Sequence, residues 1–258
     1  MNKYVIGLVS ALVLTVGTQT ASAQERKFVN IGTAGSVANL RSIRSGELDV
    51  AFAQADWQNH AYMGTSKFSE DGANKDLRFL FSLQAEPMHV VVRKGSGISN
   101  FGDLKGKVVN TGNAGSGTEA TIYAALKVYG ETAASYFKQE TKLTSREQAQ
   151  ALCDGKIDAF FFPVGIGTSS VVEATNTCDS EIAEWNDETI RKMVEGTPYL
   201  GFYTIPAGSY KGQDKDVKTW GMPATVVASA NADEDVIYQM MKAVFDNFED
   251  FTKQSALF

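Results

Sequence analysis

Gly46-Glu47-Leu48-Asp49-Val50-Ala51-Phe52 and Gly155-Lys156-Ile157-Asp158-Ala159-Phe160-Phe161 are two versions of one phrase. The first follows the helical stretch Val37 to Ser45, the second the helical stretch Ser145 to Cys153. Glycine just past a helix end supplies the left-handed turn that closes it. The second helix opens on Ser145-Arg146-Glu147-Gln148, which reads as a capping box. The runs that follow, Leu48 to Ala53 and Ile157 to Phe162, are short and continuously apolar, as parallel strands covered on both faces should be. Helix, glycine stop and buried strand, twice over, predict two α/β lobes.

Between the two phrases, Phe101 to Asn110 reads as a polar turn, a one-turn helix and a strand. That strand runs into Thr111-Gly112-Asn113-Ala114-Gly115-Ser116-Gly117-Thr118, and an apolar-periodic helix follows through Ile122, Ala125, Leu126 and Tyr129 to Gly130. A glycine-rich strand-to-helix turn is a physical anion trap. Its amides lack intrahelical acceptors and the helix dipole favours negative charge there. Asn113, Ser116, Gly117 and Thr118 are therefore candidate ligand contacts, the two hydroxyls as added donors. The turn lacks the ending of a P-loop and the spacing of a dinucleotide fingerprint, and the alternative is a turn that serves only close packing.

Ligands of open α/β sheets bind beyond strand ends. At the end of the first strand stand Gln54, Asp56 and Trp57, candidates to orient a small molecule, with Trp57 against its aliphatic part. The alternative makes Trp57 a packing residue and Asp56 a helix cap. The matching strand end of the other lobe, Pro163-Val164-Gly165, offers backbone donors and an apolar wall.

The chain opens on Lys3, an apolar run from Tyr4 to Val16 and Ala21-Ser22-Ala23, the pattern of a cleaved signal peptide over residues 1–23. The expected product is a soluble, exported, periplasmic protein. Of 258 residues 43% are hydrophobic, enough for one large core or two smaller ones. The formal charge is −6, and an acidic surface without a basic run argues against nucleic acid and anionic lipid as partners. In an exported protein two cysteines read as a disulfide, Cys153 to Cys178, worth roughly 3 to 4 kcal/mol in the chain-entropy model. The alternative is two separate buried thiols. Neither cysteine has a second ligand at metal-binding spacing, so no metal is expected. His60 and His89 lack nucleophile or carboxylate partners at motif spacing and read as structural histidines, and Ser116 lacks the frame of a nucleophile elbow. The chain therefore reads as a binder rather than an enzyme.

Gln54-Ala55-Asp56-Trp57 with Ala61 to Thr65, Asn110 to Thr118, Gln150 to Ala159 and Ile205-Pro206-Ala207-Gly208 together resemble the TAXI solute-binding subunits of tripartite ATP-independent periplasmic (TRAP) transporters. The resemblance covers nearly all of the chain after the leader. It implies a two-lobed, hinged type II periplasmic-binding fold, with residues 24–88 in the first lobe, 89–225 in the second and 226–258 returning to the first. It also implies a TRAP-type membrane permease as partner, a monomer, no cofactor, and a small anionic solute of the acidic amino acid or dicarboxylate class. The chain departs from the family where a first strand, Phe28 to Thr33, runs almost directly into the Val37 helix, and where it ends at Phe258. The expectation is an incomplete first lobe whose pocket lacks part of one wall and binds its solute poorly or not at all. A degenerate non-binding remnant and an exported antigenic or adhesive surface protein are the alternatives.

Other prominent residues read as structural. Val236, Met240, Val244 and Phe248 form one apolar stripe on a helix from Asp235 to Phe248. Arg41 and Arg44 lie on a short exposed helix, either able to meet a ligand carboxylate, and Tyr199 or Tyr203 is a candidate to close the pocket.

Overall fold

The computed structural model describes residues 29–253. The expected signal peptide over residues 1–23 and its cleavage site lie outside them. Chain order is α1 (Ser36–Ser45), β1 (Val50–Gln54), α2 (Ala55–Met63), β2 (Leu77–Arg93), β3 (Val108–Asn110), α3 (Gly117–Val128), α4 (Ala133–Tyr136), β4 (Gln139–Thr141) and α5 (Gln148–Cys153). There follow β5 (Ala159–Pro163), α6 (Ser169–Thr177), β6 (Ser180–Ala183), α7 (Glu188–Glu195), β7 (Gly201–Ile205), β8 (Val217–Ser229), α8 (Glu234–Asp246) and α9 (Phe248–Lys253).

Two long strands carry the chain between the two lobes. β2 pairs antiparallel with β8 from Leu77 to Pro87, then from Met88 onward with β5 and β6. β8 pairs with β1 over Ala224–Ala228 and with β7 over Val217–Gly221. The first lobe thus holds α1, β1, α2 and the outer halves of β2 and β8, with α8 packed through Val236 on Val50, Val226 and Ala228. The second lobe holds the remaining strands around a core in which Phe101 stacks on Trp185 at 4.1 Å between ring centroids.

The repeated phrase folds as helix, glycine and strand in both places. Gly46 and Gly155 have φ of 76° and 71°, left-handed as the sequence requires. The strands correct the expectation of parallel pairing: among the described residues β1 pairs only antiparallel, and β5 is parallel to β3 but antiparallel to β2. A buried apolar run reports cover on both faces, and here both kinds of ladder have it. The capping box at Ser145 is also corrected. α5 starts at Gln148, and Glu147 instead folds back on Thr144, accepting its amide at 2.9 Å and its hydroxyl at 2.7 Å. Residues 29–33 form no strand, and the helical stripe ends before Phe248, which begins α9 and is 53% exposed.

Cys153 at the end of α5 and Cys178 just after α6 are joined in a disulfide. Both histidines are held by neighbours: His60 Nδ1 lies 2.8 Å from Thr65 Oγ1, and buried His89 sits between Pro87 O and the Tyr210 hydroxyl at 2.8 and 2.9 Å. Among the described residues no helix is long and apolar enough to cross a membrane, and no three His, Cys, Asp or Glu cluster as a metal site.

Candidate functional site

The strand β3 ends at Asn110, and the chain needs six residues to reach α3. Ser116 caps that helix, its hydroxyl oxygen accepting the Glu119 amide at 3.1 Å. The chain's own Glu119 reaches back to take the Gly115 amide at 3.3 Å and binds Lys142 at 2.7 Å through its other oxygen. Gly117 and Thr118, the first two residues of α3, keep amides with no intrahelical acceptor.

A second helix N-terminus meets the first. The loop Gly32 to Ser36 leads into α1, whose N-cap Gly35 has no side chain to satisfy the first-turn amides. A Cβ at Gly35 would lie 3.1 Å from Ser116 Cα, so the two loops are in contact. Ala38 N–H donates to Gly115 O at 3.2 Å and Asn113 Nδ2 to Ala34 O at 2.9 Å. Between these loops, the end of β1 and the end of β5 lies a cleft of about 920 Å³. Gly32 to Ser36 and Asn39 form the first-lobe side of this cleft.

Of the residues singled out from sequence, Gln54, Asn113, Ser116, Gly117, Thr118, Pro163 and Val164 line this cleft. Gly165 does not; its carbonyl accepts the Thr168 amide at 3.3 Å. Asp56 and Trp57 do not either, which corrects their placement against the ligand. Trp57 is 1% exposed, and its indole N–H donates to Gly117 O at 3.1 Å and Thr121 Oγ1 at 2.8 Å. The Thr121 hydroxyl in turn donates to Asp56 Oδ2 at 2.7 Å. Desolvation raises Asp56 to about 6 against the opposing hydrogen bonds from Thr121 and the Trp57 amide. These two residues fasten α2 to the first turn of α3 from behind the cleft. Arg41 and Arg44 bind Asp71 and Gly72 O, and Tyr199 and Tyr203 are absent from the cleft lining.

Sequence reading passed over Glu86 and Arg146. Glu86 sits on the cleft floor, half-buried on β2, and is pushed up to about 8 by desolvation and then by the negative charge of Asp56. A lone carboxylate beside Pro87, at the entry to the apolar run Met88 to Val92, was the available signal. Arg146 is exposed on the opposite wall and has no acidic partner among the described residues. Gln54 is 5% exposed, its backbone N–H donates to Ser36 Oγ at 3.2 Å, and its side-chain Oε1 has no hydrogen-bond partner among the described residues.

The cleft lies between two lobes joined by two strands, β2 and β8. The NMT1-like family model matches residues 4–257. The chain belongs to the NMT1-like family. Its fold is shared with the periplasmic aliphatic sulphonate binding protein SsuA from Escherichia coli, at 16% identity and a TM-score of 0.51 over 89% of this chain and 66% of that one. The alkanesulfonate-binding protein SsuA from Xanthomonas axonopodis pv. citri, bound to MOPS, matches at 14% identity and a TM-score of 0.51, over 88% of this chain and 66% of that one. A Streptococcus mutans structure described with glutathione import via GshT and the cystine ABC importer TcyBC matches at 12% identity and 0.51, over 88% and 76% of the respective chains. This chain thus spans just under two thirds of the length of the sulfonate binders. At these identities the likeness concerns the fold: a two-lobed α/β periplasmic-binding architecture.

Proposed function

We propose that this chain is an exported solute-binding subunit that captures a small anionic solute in the cleft and delivers it to a membrane transporter. The observation that carries the reading is the convergence of two helix N-termini, α1 and α3, on one cleft of about 920 Å³. Their first-turn amides and the Arg146 guanidinium all favour negative charge. Ser116 to Thr118 then hold the anionic group from the second lobe and Ser36 from the first. Capture by hinge motion divides the lobes near Pro87 and Gly221, and the solute favours whichever arrangement brings both helix ends to it.

A transporter of the TRAP type is the partner favoured by the TAXI-like phrases, and the periplasm is the compartment favoured by the leader pattern and the disulfide. The test is a thermal-shift screen of the leader-free protein against amino acids, 2-oxo acids, dicarboxylates, sugar acids and alkanesulfonates. One class should raise the melting temperature in a saturable way, and Ser116→Ala with Thr118→Ala should weaken binding by about 1 to 3 kcal/mol per lost charged hydrogen bond. No shift with any anion would refute the reading.

A further inference from the structure

We propose that a second, smaller binding site lies behind the cleft, on the seam between α2 of the first lobe and α3 and α7 of the second, and that it takes a small alcohol carrying a methylated ammonium group. The cation sits beside the Asp56 carboxylate among the rings of Trp57, His60, Tyr199 and Trp220. The site shares no lining residue with the cleft and stands apart from the capture reading.

A cavity of about 180 Å³ lies where these elements meet, and Asp56 and all four rings line it. The centroids of the Trp57 and His60 rings are 5.1 Å apart and those of His60 and Tyr199 6.0 Å, so the three form one contiguous group. Val128 lines the cavity too and is 46% exposed, so the cavity reaches the surface. A dry cavity of about 150 Å³ takes up benzene, so this one suits a ligand of about seven heavy atoms.

Two groups in the wall lack what such a ligand supplies. Asp56 accepts hydrogen bonds from the Trp57 amide at 2.8 Å and the Thr121 hydroxyl at 2.7 Å but makes no ion pair among the described residues. Desolvation raises its carboxyl to about 6, so above that pH a buried negative charge stands without a countercharge. His60 does not provide one, because burial lowers it below its ordinary value of 6.5. Trp220 is 1% exposed, and its indole N–H has no hydrogen-bond partner among the described residues. A cation among the rings answers the first need, since ring faces attract positive charge most strongly where water is excluded. A hydroxyl oxygen that accepts the Trp220 N–H answers the second. The remaining wall includes Ala124, Val128, Met193 and Leu200. Against these apolar side chains N-methyl groups pack, where ammonium N–H groups would lose water without gaining a partner.

Three probes separate the parts of this site: choline, the dimethylbutanol in which carbon replaces its charged nitrogen, and tetramethylammonium, which lacks its hydroxyl. Titrated calorimetrically into the purified protein, choline should bind saturably and about 10-fold or more tighter than the neutral alcohol. It should also bind about 3-fold or more tighter than tetramethylammonium, an advantage that Trp220→Phe removes. Tyr199→Leu, at a half-buried position, should weaken both cations by about 5-fold or more. Circular dichroism and the melting curve confirm the fold of each variant. A neutral alcohol that binds as well as choline, a choline affinity indifferent to Tyr199→Leu, or no binding of choline to the unsubstituted protein overturns the site. An advantage of choline over tetramethylammonium that survives Trp220→Phe overturns the seat of its hydroxyl.

Discussion

Glu86 is the residue on which charge and burial most conflict. Its ordinary value of 4.5 rises to about 8 in the folded protein, through desolvation and then Asp56. Between those values the folded state holds a proton that the unfolded chain has released, so stability falls as pH rises from about 5 to 8. Asp56, raised to about 6, adds in the same direction over the lower part of that window. Glu86→Gln removes the larger contribution, and its melting temperature should exceed that of the wild type by about 2 to 6 °C at pH 8 and match it near pH 5, measured by calorimetric melts. Gly117 poses the opposite case. A Cβ there would overlap Gln54 Oε1 and lie 2.8 Å from Ser36 Oγ. The cheapest relief is rotation of the Gln54 side chain, so Gly117→Ala should cost only about 1 kcal/mol of stability. Solute affinity should fall at least 10-fold, read by calorimetry.

At the scale of elements, the crossing of β2 and β8 carries the strictest steric demand. A Cβ on Gly221 would overlap Glu86 O and approach Pro87 Cα to 2.9 Å, backbone against backbone with no rotamer to turn. Gly221→Ala should therefore cost about 3 kcal/mol or more in urea unfolding, in contrast to Gly117→Ala. The register shift between Ser82 and Ala85 lies beside this crossing and turns β2 from one lobe's sheet into the other's. Much of the element order was legible. The glycine stops, the one-turn helix Phe101–Leu104, the strand Val108–Asn110 and the start of α3 all follow from local signals. Strand direction was not legible, because continuous apolar runs arise wherever both faces are covered, whichever way the neighbour runs.

In the whole molecule the two lobes touch at the cleft and behind it. In front, Asn113 and Ala38 bridge the loops, and behind, the Trp57 indole and Asp56 hold Thr121 and Gly117. Trp57 touches no part of the cleft, yet Gly117 is common to the fastener and the ligand cradle. Trp57→Phe should cost about 1 to 3 kcal/mol by leaving Gly117 O unmet, and should also weaken solute binding through faster dissociation. Stopped-flow release of bound solute checks the second effect; an unchanged release rate would mean that the fastener only stabilises the fold.

The sequence by itself determined that two α/β units recur, that glycine must end their helices, that Cys153 and Cys178 belong together, and that the turn from Gly112 to Thr118 presents helix amides. Each is set by chain-local chemistry: a left-handed turn, a run of apolar residues, a pair of thiols with no other partner, a helix start without acceptors. Tertiary structure alone decided which strand-end residues face the cleft. Gln54 and Trp57 are three residues apart at one strand end, and only the packing of α2 on α3 sends the indole behind the cleft while the carboxamide stays in it. Likewise Glu86 feels the charge of Asp56 only because β8 runs between β1 and β2, a pairing across more than 130 residues of chain that no local signal encodes.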